Sequence, residues 1–170
     1  SFVLSAPVIQ VSSSTPPGSQ VAVSLLPTSS DFSASNVSLS FETVANSGAT
    51  QLTVTGSGPP PPANFAPVGD PVYYDLTTTA GHTGNIDLCF DYAGTSLDGQ
   101  VGLALLHFDQ FGWIDITTSR DVINKRICGR TPGFSTFTIL QQTIQVPVAA
   151  PFSGTTLNTF TPNISWGAVP

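Results

Sequence analysis

Cys89 and Cys128 are the only cysteines of the chain, and their sequence surroundings define the chemistry open to them. Cys89 lies in Ile86-Asp-Leu-Cys-Phe-Asp-Tyr92. There Ile86, Leu88, Phe90 and Tyr92 alternate as one apolar face, and Cys89 shares the other face with Asp87 and Asp91. Cys128 follows Ile123 and Ile127, which share a face, and falls with Asn124 and Arg126 on the opposite one. If the two segments are neighbouring strands, Cys89 meets Cys128, and Asp87 or Asp91 meets Arg126 across the ladder. A disulfide there would contribute roughly 3–4 kcal/mol in the chain-entropy model and would place the chain in an oxidising compartment. The alternative is two buried thiols in a cytosolic protein. A metal centre has little to stand on, because two cysteines and the distant His82 and His107 lack tight ligand spacing.

Other reactive constellations are thin. His82 falls in a Gly-rich turn and is expected in solvent, while His107 reads as a satisfied histidine at a sheet end. No Gly-x-Ser-x-Gly elbow exists for a serine nucleophile. Glycoside hydrolysis needs two carboxylates across a cleft, and Glu42 is the only glutamate. The chain therefore reads as non-enzymatic, with no cofactor called for. A calcium ion is the one inorganic ligand to consider, should Asp70, Asp75, Asp109, Asp115 and Asp121 meet at loop ends with backbone carbonyls. Aromatic rings offer a second route to binding. Tyr73, Trp113 and Trp166 would stack on sugar rings if exposed on one face, and Tyr73 is the better platform because it alternates with a core-facing Tyr74. Asn36-Val-Ser38 and Asn163-Ile-Ser165 match the N-glycosylation pattern at Asn36 and Asn163. The Ser/Thr-rich residues 12–15 and 155–161 would accept O-glycans where a host makes them.

The elements that must hold these residues follow from composition. Charged residues make up only 8% of the 170 residues, against about 25% in an ordinary soluble domain. Ser, Thr, Asn, Gln and Gly supply the polar surface instead, and they suit strands and turns better than helices. With a net charge of −6 and only Arg120, Lys125, Arg126 and Arg130 as cations, the chain cannot make the phosphate contacts of a nucleic-acid binder. No apolar run approaches the roughly 20 residues that span a bilayer. With Ser1 first and no Met, the sequence reads as a processed mature protein or a piece of a longer one.

Period-two alternation recurs at Val21-Val23-Leu25, Val37-Leu39-Phe41, Leu52-Val54, Val72-Tyr74-Leu76 and Ile86 to Tyr92, with turn residues at 46–48, 81–84 and 94–99. Residues 101–108 are apolar on both faces and read as a central strand covered on both sides. A hairpin at Asp109-Gln110 leads into residues 111–117, and the last strands are expected over 121–128 and 134–141. The pattern predicts an all-β, antiparallel β-sandwich, immunoglobulin-like or jelly-roll-like, with little or no helix. Residues 1–142 read as one sandwich domain whose N-terminal strands lie within 1–33. The Pro-rich residues 57–62 serve as a crossover from one sheet edge to the other. Residues 143–170 read as an extended C-terminal segment or the start of a following β module. Residues 5–11 and 143–148 are strand-forming yet lack a hairpin partner next to them in sequence, and Ile9-Gln-Val11 echoes Ile144-Gln-Val146.

Several stretches between residues 71 and 140 carry a resemblance: Pro71-Val-Tyr-Tyr-Asp-Leu-Thr-Thr-Thr-Ala80, Ile86 to Tyr92, Leu105-Leu-His-Phe108, Trp113-Ile-Asp-Ile-Thr-Thr-Ser-Arg-Asp121, Ile127-Cys-Gly129 and Phe134-Ser-Thr-Phe-Thr-Ile139. This pattern resembles an uncharacterised β-sandwich module of large secreted or surface-attached bacterial proteins, found beside fibronectin-III and immunoglobulin-like modules. The resemblance implies surface display and modular architecture, and it supplies no catalytic residues. Together the readings point to an extracellular or cell-surface module with a structural or adhesive role. Its expected partners are copies of itself or neighbouring modules, and a terminal strand would dock in a filament. The rival class is a carbohydrate-binding module.

Overall fold

The computed structural model describes residues 8–27 and 34–143. They form an all-β molecule of twelve strands in two antiparallel sheets packed face to face as a sandwich. The strands are β1 (Val8–Thr15), β2 (Gly18–Leu25), β3 (Asn36–Asn46), β4 (Gly48–Thr55), β5 (Phe65–Ala66) and β6 (Tyr73–Thr78). They continue as β7 (Gly81–Asp91), β8 (Leu103–Asp109), β9 (Gly112–Asp115), β10 (Thr117–Asp121), β11 (Arg126–Thr131) and β12 (Thr136–Gln142). The seven-stranded sheet runs β1-β4-β6-β12-β8-β9, with β5 also pairing β12, and the five-stranded sheet runs β10-β11-β7-β3-β2.

The alternation of apolar residues decides which face of each strand turns inward. Val21, Val23 and Leu25 meet Val37, Leu39 and Phe41 across the β2–β3 ladder, and the latter meet Phe90, Leu88 and Ile86 of β7. From the other sheet Leu52, Val54, Tyr74, Leu76, Leu103, Leu105, Phe137 and Ile139 face them in one buried core. Tyr74 is wholly inside, where its hydroxyl accepts the Ser35 N–H at 2.9 Å and its ring stands edge-on to Phe90. The core thus joins both sheets through their centres, which fixes the outward faces and the sheet edges.

Four expected boundaries shift. Residues 81–84 are not a turn but the start of β7, which pairs with β3 through a register shift between Phe41 and Thr43. Gly84 has φ +81°, and a Cβ there would lie 2.3 Å from a Glu42 carboxylate oxygen, so the glycine marks a bulge in a long strand. The strand expected over 121–128 is broken by a tight turn. Asp121 Oδ1 accepts the N–H groups of Ile123 and Asn124, and Lys125 takes φ +57°. The strand expected over 111–117 changes sheet at Ile116, which links β9 to β10. Its N–H donates to Leu105 and its carbonyl accepts from Arg130, one residue in each sheet. Finally, the strand expected from 101 begins at Leu103, with Val101 73% exposed; Leu103 to Leu106 are buried on both faces as expected, yet β8 stands one place in from the edge strand β9.

The Pro-rich residues lie against the outer face of the seven-stranded sheet, at Tyr73 of β6 and Trp113 of β9. They do not carry the chain from one sheet edge to the other. The chain leaves β4, crosses the outer face of the seven-stranded sheet, and rejoins the same sheet as β5 beside β12. Tyr73, Ala104, Leu106 and Leu140 are buried on that outer face, away from the inter-sheet core.

Candidate functional site

The outer face of the five-stranded sheet carries the cysteines. Cys128 stands opposite Cys89 in the β11–β7 ladder, flanked by Arg126 opposite Asp91 and Arg130 opposite Asp87. Cys89 and Cys128 form a disulfide, with Cα atoms 4.1 Å apart. Arg126 reaches Asp91 at 3.1 Å and donates to Ser38 Oγ on β3 at 2.9 Å, while Arg130 clasps both Asp87 oxygens. The other cations are also paired, Arg120 with Asp115 and Lys125 with Asp98. This face is a cross-strand clamp whose charges are matched in place. Asn36 is exposed as the first residue of β3, open to modification.

The aromatic platform is occupied by the chain itself. Tyr73 is 5% exposed, which overturns its reading as an open stacking surface. Its hydroxyl donates to the Pro59 carbonyl at 3.1 Å, and Trp113 Nε1 donates to the Pro60 carbonyl at 2.7 Å. The two rings lie 6.3 Å apart, with Phe108 edge-on to Trp113. Sequence alternation correctly set Tyr73 opposite Tyr74, but it could not show that a proline segment 14 residues upstream would fold back over it. Carbonyls of the Pro run accept from aromatic donors, the kind of contact that polyproline recognition uses between chains. Gly58 permits it, because a Cβ there would lie 2.5–2.8 Å from Tyr73 ring carbons. Gly58→Ala is therefore expected to lift the strap and cost about 1–3 kcal/mol, as overpacking does. Urea denaturation checks this, and a loss under about 0.5 kcal/mol would contradict the seating of the strap. Trp166 and Asn163 lie outside the described residues, as do residues 144–148 and the possible following module.

The histidines are absorbed by packing. His82 is not solvated in a turn; it lies on β7 against Phe41 and Phe134, with Nδ1 buried and without a hydrogen-bond partner. His107 stacks on Phe137 at 4.5 Å, its Nδ1 is 3.4 Å from Thr131 Oγ1, and its Nε2 is buried without a partner. Burial holds the His107 imidazole below its ordinary value, against an opposing pull from Asp109. A folded-state value below the unfolded one stabilises the fold above about pH 6.5 and is lost as pH falls through the folded value. Asp98 and Asp121 also lie below the usual carboxylate range, chiefly because the backbone N–H groups of Gly94 and Asn124 bond them. They too lose stability in acid. His107→Phe keeps the stack and removes the proton site, so it is expected to lose less stability than the parent between pH 7.5 and pH 4.5. Equal losses in urea melts would contradict the burial of a neutral imidazole.

The five aspartates weighed for calcium do not converge. Asp75 accepts from Thr136, Asp109 from the Phe111 N–H, Asp115 from Thr117, and Asp121 from its own turn. Among the described residues no group of three or more His, Cys, Asp or Glu side chains is placed to hold a metal. No helix of the described residues is long and apolar enough to cross a membrane.

What remains open is backbone. On one side of the sandwich the edge strands among the described residues are β9 and β10. There β9 has four residues, β10 carries a register shift with Arg120 and Asp121, and Arg120 donates to the Leu103 carbonyl. Short length, irregularity and charge are the usual protections of a sheet edge. On the other side β2 bears Gln20 at φ +51°, which breaks its extended run. β1 differs from all three. It pairs β4 in unbroken register from Val8 to Thr15, and its other edge has no strand beside it among the described residues. It has no charge and no proline, and the first charged residue of the chain is Asp31. Residues 5–11 were singled out from sequence as lacking a local partner; the described part finds one in β4, and the unmet edge is its far side. Comparison with family models, curated proteins and solved structures returns no match.

Proposed function

We propose that this chain is a non-enzymatic, extracellular structural module with an adhesive role, which associates with copies of itself through its terminal strand β1. The observation that carries the reading is the contrast between edges: three are shortened, charged or distorted, and β1 is long, regular and neutral. An edge strand presents a row of backbone donors and acceptors, and strand addition satisfies them with no change of fold. The disulfide supports an oxidising, extracellular setting, and the resemblance of residues 71–140 to modules of secreted bacterial proteins points the same way. The carbohydrate-binding alternative has less behind it, since the strap covers Tyr73 and bonds Trp113.

Sedimentation velocity over a range of protein concentrations tests the reading, alongside a glycan array. Association that rises with concentration and changes little with salt is expected, because the contact involves no charge. A monomer at every concentration, together with saturable glycan binding, would overturn it.

A further inference from the structure

Resting on that self-association, we propose that the contact is isologous: β1 of one copy pairs antiparallel with β1 of a second, joining two seven-stranded sheets into one and closing the assembly as a dimer. Charge does not oppose contact at this edge, and β2, equally free of charge, is set apart by Gln20 at φ +51°. Each copy carries a net charge of −6, and all fourteen charged residues fall between Asp31 and Arg130. Two β1–β2 hairpins meeting edge to edge bring together no charged side chain, whereas the edge strands β9 and β10 carry Asp115, Arg120 and Asp121.

Side-chain parity then selects the register. Ile9, Val11, Ser13 and Thr15 point toward the core side and are half-buried or buried, while Val8, Gln10, Ser12 and Ser14 are exposed on the outer face. A continuous sheet with both cores on the same side requires a two-fold axis perpendicular to it. Opposed residues must then share a face, so their numbers sum to an even value. Registers centred on Val11 or Ser12 satisfy this and use the length of β1. In the register centred on Val11, Val11 faces Val11 and lies diagonal to Ile9 of the second copy, and Gln10 faces Ser12; in the one centred on Ser12, Val11 faces Ser13, Ile9 faces Thr15 and Gln10 faces Ser14. A contact made by the same patch on both copies is used up in the dimer and does not propagate.

The test uses charge swapping on the full oxidised chain. Gln10→Lys/Ser12→Lys and Gln10→Glu/Ser12→Glu each place like charges on both edges. Each variant alone is expected to lose association at least tenfold in sedimentation velocity, and an equimolar mixture is expected to restore the dimer. Ser119→Lys, on the exposed edge strand β10, is expected to associate as the parent does. Both β1 positions are exposed, and Ser12→Lys alone is used if a double variant lowers the denaturation midpoint. A parent that stays monomeric overturns the inference and the functional reading together. A parent that associates with its charged variants unaffected overturns the inference alone and moves the contact to another edge. Charged variants that are monomeric but do not recombine, or a parent that grows past the dimer through this edge, make the contact head-to-tail and also overturn it.

Discussion

Replacing Cys89 and Cys128 together by alanine is expected to lower the free energy of unfolding by roughly 4 kcal/mol in the chain-entropy model. The bridge spans 39 positions, and its loop contains the turn at residues 92–102, the strands β8 to β10 and the switch of sheets at Ile116. Without it, the unfolded chain regains the freedom of that whole loop, while the folded ladder between β7 and β11 keeps its backbone pairing. The flanking Arg–Asp pairs cannot substitute for it, since their side chains are 39–58% exposed and such pairs contribute about 1 kcal/mol or less. A domain of ordinary stability, about 5–15 kcal/mol, would stay folded near room temperature with a much reduced margin. Urea denaturation of the oxidised parent and the double variant measures the difference. A loss under about 1 kcal/mol would show that the loop is already confined in the unfolded chain.

Phe137→Ala is expected to cost about 3–5 kcal/mol, the range for removing a buried aromatic ring. Phe137 is wholly buried on β12, the strand that pairs with both β6 and β8. Its ring carries the stacked His107 on one side and meets the edge of Phe134 on another. Deleting it leaves a cavity that β12 cannot close, because its neighbours on both flanks fix its position. Phe111 provides the contrast: it is 86% exposed at the tip of the β8–β9 hairpin, and Phe111→Ala should stay within about 0.5 kcal/mol of the parent. Equal effects of the two substitutions would contradict the placement of the core.

The alternation of Ile86, Leu88 and Phe90 against Asp87, Cys89 and Asp91 made both the inward face and the disulfide legible, because a period of two leaves one choice of face. The same parity set Arg126 opposite Asp87 or Asp91, and the register of the ladder selects Asp91. What sequence could not supply was every feature that depends on chain segments far apart. The strap over Tyr73 and Trp113 needed the path of residues 57–62 in space. The burial of His82 needed a glycine read as a bulge rather than a turn, and a lone Gly84 is consistent with either. The status of β1 as an edge strand needed the strand order, since its partner β4 lies across two intervening strands in sequence. Alternation reports which face of a strand is wet and is silent about which edge is free.

Amide hydrogen exchange of Val8–Thr15 as a function of protein concentration is the most direct test of self-association through β1. In a monomer the amides that point toward β4 are protected and those on the far edge exchange freely. Pairing with a second copy covers that far edge alone. The expected result is that alternate amides of β1 become at least tenfold slower to exchange as concentration rises, while those of β9 and β10 do not change. Exchange along β1 that is independent of concentration, in samples where sedimentation shows association, would contradict the central claim.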